Sequence, residues 1–153
     1  MKLSTKGRYG LRALIDLAVF SEKEVVSISS ISSRENISVS YLEQLVAKLK
    51  KAGLVVSIRG AGGGYKLAKQ ARDISVGDVL RALEGNLDAV ECPGIKDDSG
   101  CLIADSCVTK FVWEKINNSI TNAVDEISIE QLVQESKKVQ QGCQNHAVSN
   151  CQN

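Results

Sequence analysis

Leu11, Leu14, Ile15, Ala18 and Val19 recur at i, i+3, i+4, i+7 and i+8, which predicts an amphipathic helix with one stripe facing a core. Ser4 and Thr5 are its candidate caps, and Lys6, Arg8 and Arg12 fall on exposed positions. After Glu22-Lys23-Glu24, a second helix is expected over 28–35 with Ile28 and Ile31 inward and Asn36 at its end. Ser38 or Ser40 caps a third helix that runs to Ala52, with Gly53 as its C-terminal glycine. Leu42, Leu45, Val46 and Leu49 form its apolar stripe, and Ser40, Glu43, Gln44, Lys48 and Lys51 lie mostly away from it. Two helices joined by a tight turn, the second polar outward with a basic end, describe a helix-turn-helix.

The pattern then changes period. Residues 54–59 read as a strand and 65–68 as its return, around Gly60-Ala61-Gly62-Gly63-Gly64, a hairpin tip stripped of side chains. This is not a dinucleotide-binding loop, because the glycine pattern fails at Tyr65 and no helix follows at once. Arg59 stands at the base of the hairpin, where a guanidinium suits the negative potential of a narrow minor groove. A helix-turn-helix followed by such a hairpin is a winged helix, so the fold class is mainly α with a small β-hairpin wing. The polar face supplies groove chemistry: Gln44 can bond adenine bidentately, Glu43 can accept from cytosine N4, and Ser40 can do either.

Ser75-Val76-Gly77-Asp78 reads as a capping box opening a short helix with Val79, Leu80 and Leu83, ended by Gly85-Asn86. Further on, Trp113, Ile116, Ile120, Ala123 and Ile127 keep a 3-4-3-4 spacing along one seam. That seam is expected to be a contact between two subunits, the alternative being packing on the chain's own head. A last helix opens at Ser128 with Gln131 three residues on, and the polar stretch beyond Lys138 is expected to be disordered. The organisation that follows is a winged helix over 1–85, a cysteine loop over 86–110, dimerisation helices over 111–138 and a tail over 139–153.

Charge sharpens this division. Residues 1–85 hold 14 Lys and Arg against 8 Asp and Glu, a net of +6, whereas residues 86–153 hold 5 against 10, a net of −5. The basic half is the candidate for polyanion contact. The 43% hydrophobic content excludes a disordered chain, and no apolar run approaches the roughly 18 residues of a membrane span. The N-terminus has no signal-peptide pattern, so a cytoplasmic protein is expected. In a reducing cytosol, five cysteines point to metal or redox chemistry more readily than to disulfides.

Cys92, Cys101 and Cys107 share one loop with Pro93, Gly94, Asp97, Asp98, Gly100 and Asp105. That composition does not suit a core segment, which argues against cysteines serving as small buried hydrophobes. Structural zinc usually takes four ligands at shorter spacing than the eight- and five-residue intervals here. Cys143 and Cys151 lie in the tail and read as incidental. No nucleophile or acid–base constellation accompanies the thiols, so an enzyme is not expected.

Three stretches and the cysteine trio carry a resemblance. Leu3-Ser4-Thr5-Lys6-Gly7-Arg8-Tyr9, the run from Ile37 to Leu45, the run from Val56 to Tyr65, and the trio followed by Trp113 resemble the IscR-type winged-helix regulators. The resemblance covers residues 1 to about 138. It implies a homodimer on double-stranded DNA, with Ser38, Ser40, Tyr41, Glu43, Gln44 and Arg59 at the DNA; Lys48 and Gly60 complete the candidate set. It also implies that Cys92, Cys101 and Cys107 ligate an iron–sulfur cluster, typically [2Fe–2S], whose state alters promoter choice and which controls cluster-assembly genes. A [4Fe–4S] cluster would also fit three cysteines.

The family's fourth ligand is a histidine, and Lys110 stands at its position. A protonated lysine has no lone pair to give. The candidates that remain are His146, Cys143 or Cys151 of the tail, a carboxylate such as Asp105 or Glu91, or an exchangeable small ligand. The alternatives to a cluster-dependent regulator are a cluster-free thiol sensor that binds DNA and a small iron–sulfur electron carrier, for which a basic winged helix has no use.

Overall fold

The structure, a computed structural model, describes residues 3–96 and 100–149, and the side chains of all of these but 96 and 143–149. Seven α-helices and one two-stranded antiparallel sheet follow in chain order among the described residues. Helix α1 (Thr5–Ser21) is the centre of the head, with α2 (Ile28–Glu35), α3 (Val39–Lys51), α4 (Val76–Glu84) and α7 (Ile129–Ser149) packed around it. Leu14, Leu17, Ile31, Leu42, Leu45 and Leu49 are fully buried between them. Each such side chain contributes on the order of 2 kcal/mol through removal from water.

Two glycines let α1 approach α4. A Cβ on Gly10 would collide with the Leu83 side chain, and one on Gly7 would meet the Glu84 carboxylate and Leu80. The gap at Gly7 is filled by chemistry instead: Glu84 Oε1 accepts from the Ser4 amide at 2.9 Å, the Ser4 hydroxyl at 2.6 Å and the Gly7 amide at 2.9 Å. The two amides are donors that a helix start leaves open. Burial pushes the Glu84 carboxyl up, but the Ser4 hydroxyl and the Gly7 and Ser4 amides outweigh it and bring the group below its ordinary value.

The turn between α2 and α3 is tight because Asn36 adopts φ 54°, a left-handed conformation that asparagine tolerates better than most residues. Ser38, not Ser40, is the cap of α3, accepting from the Tyr41 amide at 3.3 Å. An ion pair fixes α2 on α1: Arg34 donates from Nε and Nη2 to the two oxygens of Asp16, both at 2.8 Å, while its guanidinium lies 3.9 Å from the Phe20 ring centre.

Strands β1 (Val55–Ile58) and β2 (Gly64–Leu67) form the wing, with Val55 opposite Leu67 and Ile58 opposite Gly64. Val26 adds an antiparallel bridge, its amide donating to the Tyr65 carbonyl at 3.1 Å and its carbonyl accepting from the Tyr65 amide at 2.8 Å. Gly64 has to be glycine for that bridge, since a Cβ would run into the Val26 carbonyl. At the tip Gly60 takes φ 117°, and its carbonyl accepts from the Gly63 amide at 3.0 Å.

The C-terminal half departs from the expected division at two places. The start of α7 belongs to the head: Ile129 is 0% and Val133 4% exposed, and the Ile129 amide donates to the Ile74 carbonyl at 2.9 Å. The expected disordered tail is helical as far as Ser149, continuing α7. Gln140, Gln141 and Gln144 are good helix formers, and polarity alone does not prevent a helix from extending. Residues 150–153, Cys151 among them, lie outside the described residues. No helix among the described residues is long and apolar enough to cross a membrane.

Helix α6 (Val108–Asp125) leans on α4 at its C-terminal end. Arg81 of α4 donates to Asp125 at 2.6 Å and to Asp78 at 3.3 Å, and a Cβ on Gly77 would collide with Asp125. The expected seam divides. Trp113 and Ile120 are half-buried on the side of Asn117, which is 8% exposed. Val108, Val112, Ile116 and Ile127 are open to solvent along an adjacent stripe. A helix turns 100° per residue, so steps of three and four land about 60° and 40° to opposite sides, and Trp113 and Ile120 turn toward Asn117 while Ile116 and Ala123 turn to solvent.

Candidate functional site

The polar face of α3 is presented by its buried one. With Leu42, Leu45, Val46 and Leu49 in the core, the 100° step per residue points Ser40, Gln44 and Lys51 directly outward, with Glu43 beside them. Ser38, Ser40, Glu43 and Gln44 are all exposed, as are Arg59 and Gly60 at the wing. Tyr41 is half-buried and meets Tyr9 of α1 edge to face, ring centres 6.2 Å apart. Lys48 falls on a different flank: its ammonium donates to the Leu83 carbonyl at 3.3 Å, tying α3 to the end of α4. Lys50 likewise reaches the Ser57 hydroxyl of β1 at 2.7 Å, fixing the wing to α3. Glu43 is the one acidic side chain in this exposed set.

The cysteine loop is more structured than its composition suggests. Cys92 leads into the short helix α5 (Pro93–Lys96), and the Cys92 carbonyl accepts from the Ile95 amide at 3.1 Å. The Cys101 carbonyl accepts from the Ala104 amide at 3.2 Å, and the Cys107 carbonyl from the Lys110 amide at 3.3 Å, so each cysteine stands just ahead of a helical turn. A Cβ on Gly94 would sit 3.3 Å from the Ala104 β-carbon and 3.6 Å from that of Cys101, and one on Gly100 would crowd Pro93. The chain thus doubles back to place Cys101 beside the residue two positions after Cys92. Ala104 closes the fold at 7% exposure.

All three thiols are free and half-buried. Cys107 caps α6, with its sulfur 3.2 Å from the Thr109 hydroxyl. That hydroxyl, and then the nearby Lys110 amide, hold the Cys107 thiol below its ordinary range and favour the thiolate. The donor set has the chemistry an iron–sulfur cluster needs, soft thiolates on one loop. Among the described residues, however, no three His, Cys, Asp or Glu side chains converge closely enough to hold a metal ion. Residues 97–99 of the loop, and the side chains of Cys143 and His146, lie outside the described residues.

Sequence reasoning missed Thr109 and Asn117. The Asn117 side chain binds the backbone of Ala89 and Val90, just before the first cysteine. A signal was available for the local fold: Pro93 directly after Cys92 is a residue favoured at the first helical position. Nothing in the periodicity distinguished Asn117 from any polar residue on a solvated helix.

Known proteins share this fold. The profile of the Rrf2 family, described as an iron-dependent transcriptional regulator, matches residues 3–135. The HTH-type transcriptional regulator IscR of Vibrio atlanticus is 42% identical over 137 residues, 90% of this chain and 78% of that protein. Among solved structures, T. potens IscR has 44% identity and a TM-score of 0.72, covering 92% of this chain and 91% of its own. CymR (YrzC), titled the global cysteine regulator of B. subtilis, has 38% identity and a TM-score of 0.73, covering 88% and 98%. With an exposed winged helix-turn-helix, a thiol loop and these relatives, the chain belongs to the Rrf2 family of iron-dependent transcriptional regulators, DNA-binding proteins that are not enzymes.

Proposed function

We propose that this regulator works as a homodimer whose promoter binding responds to an iron–sulfur cluster held by Cys92, Cys101 and Cys107, with cluster-assembly genes as its targets. The observation that carries the reading is the folding of the cysteine loop, which brings Cys101 beside Gly94 and ends with Cys107 capping α6. When bound, such a cluster supplies an oxygen-sensitive cross-link among three thiolates. Lys110 at the position of the family histidine makes a weak or exchangeable fourth ligand the preferred arrangement. The resemblance favours [2Fe–2S], and a [4Fe–4S] cluster with one open iron also suits three cysteines.

On the DNA side, Ser40, Glu43 and Gln44 face the major groove, and Arg59 with Gly60 enters the minor groove. Ser38 and Tyr41 flank the start of α3. Lys48, tied to the Leu83 carbonyl, seats α3 rather than reading a base. The open stripe of Val108, Val112 and Ile116 is the surface a second copy covers. Two heads then read half-sites roughly 34–36 Å apart.

One observation favours a second reading. The Cys107 thiol is free, and its sulfur lies 3.2 Å from the Thr109 hydroxyl at the start of α6, a place from which a cluster-free thiol sensor would also act. Anaerobic purification with a visible spectrum and iron and sulfide assays separates the two. Visible charge-transfer bands with stoichiometric iron and sulfide, lost when any one of the three cysteines is changed to alanine, support the cluster. Their absence after anaerobic reconstitution leaves the thiol sensor.

A further inference from the structure

Two buried polar or charged residues stand out among those described, Asp16 and Asn117. Asp16 is accounted for by Arg34. Asn117, near the middle of α6, makes three hydrogen bonds to one short segment. Its Oδ1 accepts from the Ala89 amide at 2.9 Å and the Val90 amide at 3.3 Å, and its Nδ2 donates to the Val90 carbonyl at 3.1 Å. A side-chain amide is suited to this because it offers an acceptor to two successive N–H groups and a donor to the adjoining carbonyl. An alkyl side chain would leave all three backbone groups without partners in a half-buried place.

The segment so gripped leads straight to the first cysteine. Leu87 anchors its start in the core at 6% exposure, and Asn86 Oδ1 accepts from the Asp88 amide at 3.0 Å. Cys92 follows Val90 by two residues. On α6, Asn117 adjoins Ile116, which is 38% exposed on the open apolar stripe. One turn of α6 therefore touches the cysteine loop on one side and the uncovered stripe on the other.

We propose that Asn117 is the positioning residue that transmits the conformation of the cysteine loop to α6, so that the state of the thiols reaches DNA binding through the set of this helix. The dependence on thiol state rests on the proposed function above; the mechanical link does not. Asn117 acts by holding Ala89 and Val90 against α6.

The experiment uses the full-length chain with Asn117→Ala and Asn117→Asp. The aspartate keeps the acceptor for two amides and sets a second oxygen against the Val90 carbonyl. In reduced, metal-free protein, alkylation of Cys92, Cys101 and Cys107 by N-ethylmaleimide is timed by mass spectrometry. Asn117→Ala should speed Cys92 by about tenfold through local opening and leave Cys107 unchanged, with Asn117→Asp between. Equal acceleration of all three thiols, or of none, overturns the proposal. In the second arm, DNA affinity is compared between iron-loaded and metal-free protein. The ratio should fall toward one in Asn117→Ala, by about fivefold or more, with metal-free affinity retained. An unchanged ratio overturns the transmission. Wild-type protein that takes up no iron defeats the proposed function instead, and the alkylation arm still decides the role of Asn117.

Discussion

Replacing Arg34 with alanine strands a carboxylate whose side chain is only 4% exposed. In the intact protein both Asp16 oxygens accept from the guanidinium at 2.8 Å. Removing one partner of a buried pair costs about 3–5 kcal/mol, chiefly because the remaining charge has lost both its partner and its water. Arg34 itself is 33% exposed, so water enters once the side chain is gone, and the lower end, about 3 kcal/mol, applies. The lost contact with the Phe20 ring adds about 0.5–1 kcal/mol. Against a typical total stability of about 5–15 kcal/mol this is a large fraction. In urea, with slopes of about 1–3 kcal/mol per molar, the unfolding midpoint should drop by at least about 1 M. Circular dichroism at one fixed protein concentration is the assay, because association adds to apparent stability. Removing Asp16 as well, in Asp16→Ala with Arg34→Ala, takes away the stranded charge and should restore at least about 1 kcal/mol. A single variant as stable as wild type, or a double variant less stable than the single, refutes the argument.

Three further outcomes follow from the same structure. Arg59→Ala should weaken DNA binding, whereas Gln44→Ala should relax base preference by about 1–3 kcal/mol at one position, both measured by titration against operator variants; unchanged behaviour in both sinks the assignment. Glu84 has a folded pKa below its ordinary 4.5, so its contribution to stability is complete above that value and is lost as pH falls through the folded pKa. Acid unfolding of Glu84→Gln should accordingly show a flatter pH dependence below about 4.5, and an identical acid limb would contradict it. Ile116→Glu should convert the proposed dimer to monomer in sedimentation while leaving the helical spectrum intact, and a persistent dimer would remove α6 from the interface.

The head was readable because its signals are local. The stripe of Leu42, Leu45, Val46 and Leu49, the glycines of the wing and the Ser75–Asp78 box each announce an element within a few residues, and all stand in the structure. What escaped depends on distance along the chain. Asn117 meets Val90 across 27 positions, and Ser4 meets Glu84 across 80. Hydropathy carries no trace of such pairings. The seam from Trp113 to Ile127 shows the same limit, since spacing says which side chains share a face but not which molecule covers it. The cysteine trio was visible as chemistry, while its three helical turns depend on the close packing of Gly94, Cys101 and Ala104.

The knot of Arg81, Asp125 and Gly77 makes α6 a lever with its pivot at one end. The helix has 18 residues, about 27 Å of rise, and its C-terminus is bolted to α4 while Cys107 forms the opposite tip. A tilt of about 5° around that pivot moves the tip by about 2 Å yet leaves the Asp125 end nearly still. The thiol at the tip has the longest arm on the helix, and a small force applied there turns α6 more easily than the same force applied anywhere nearer the head.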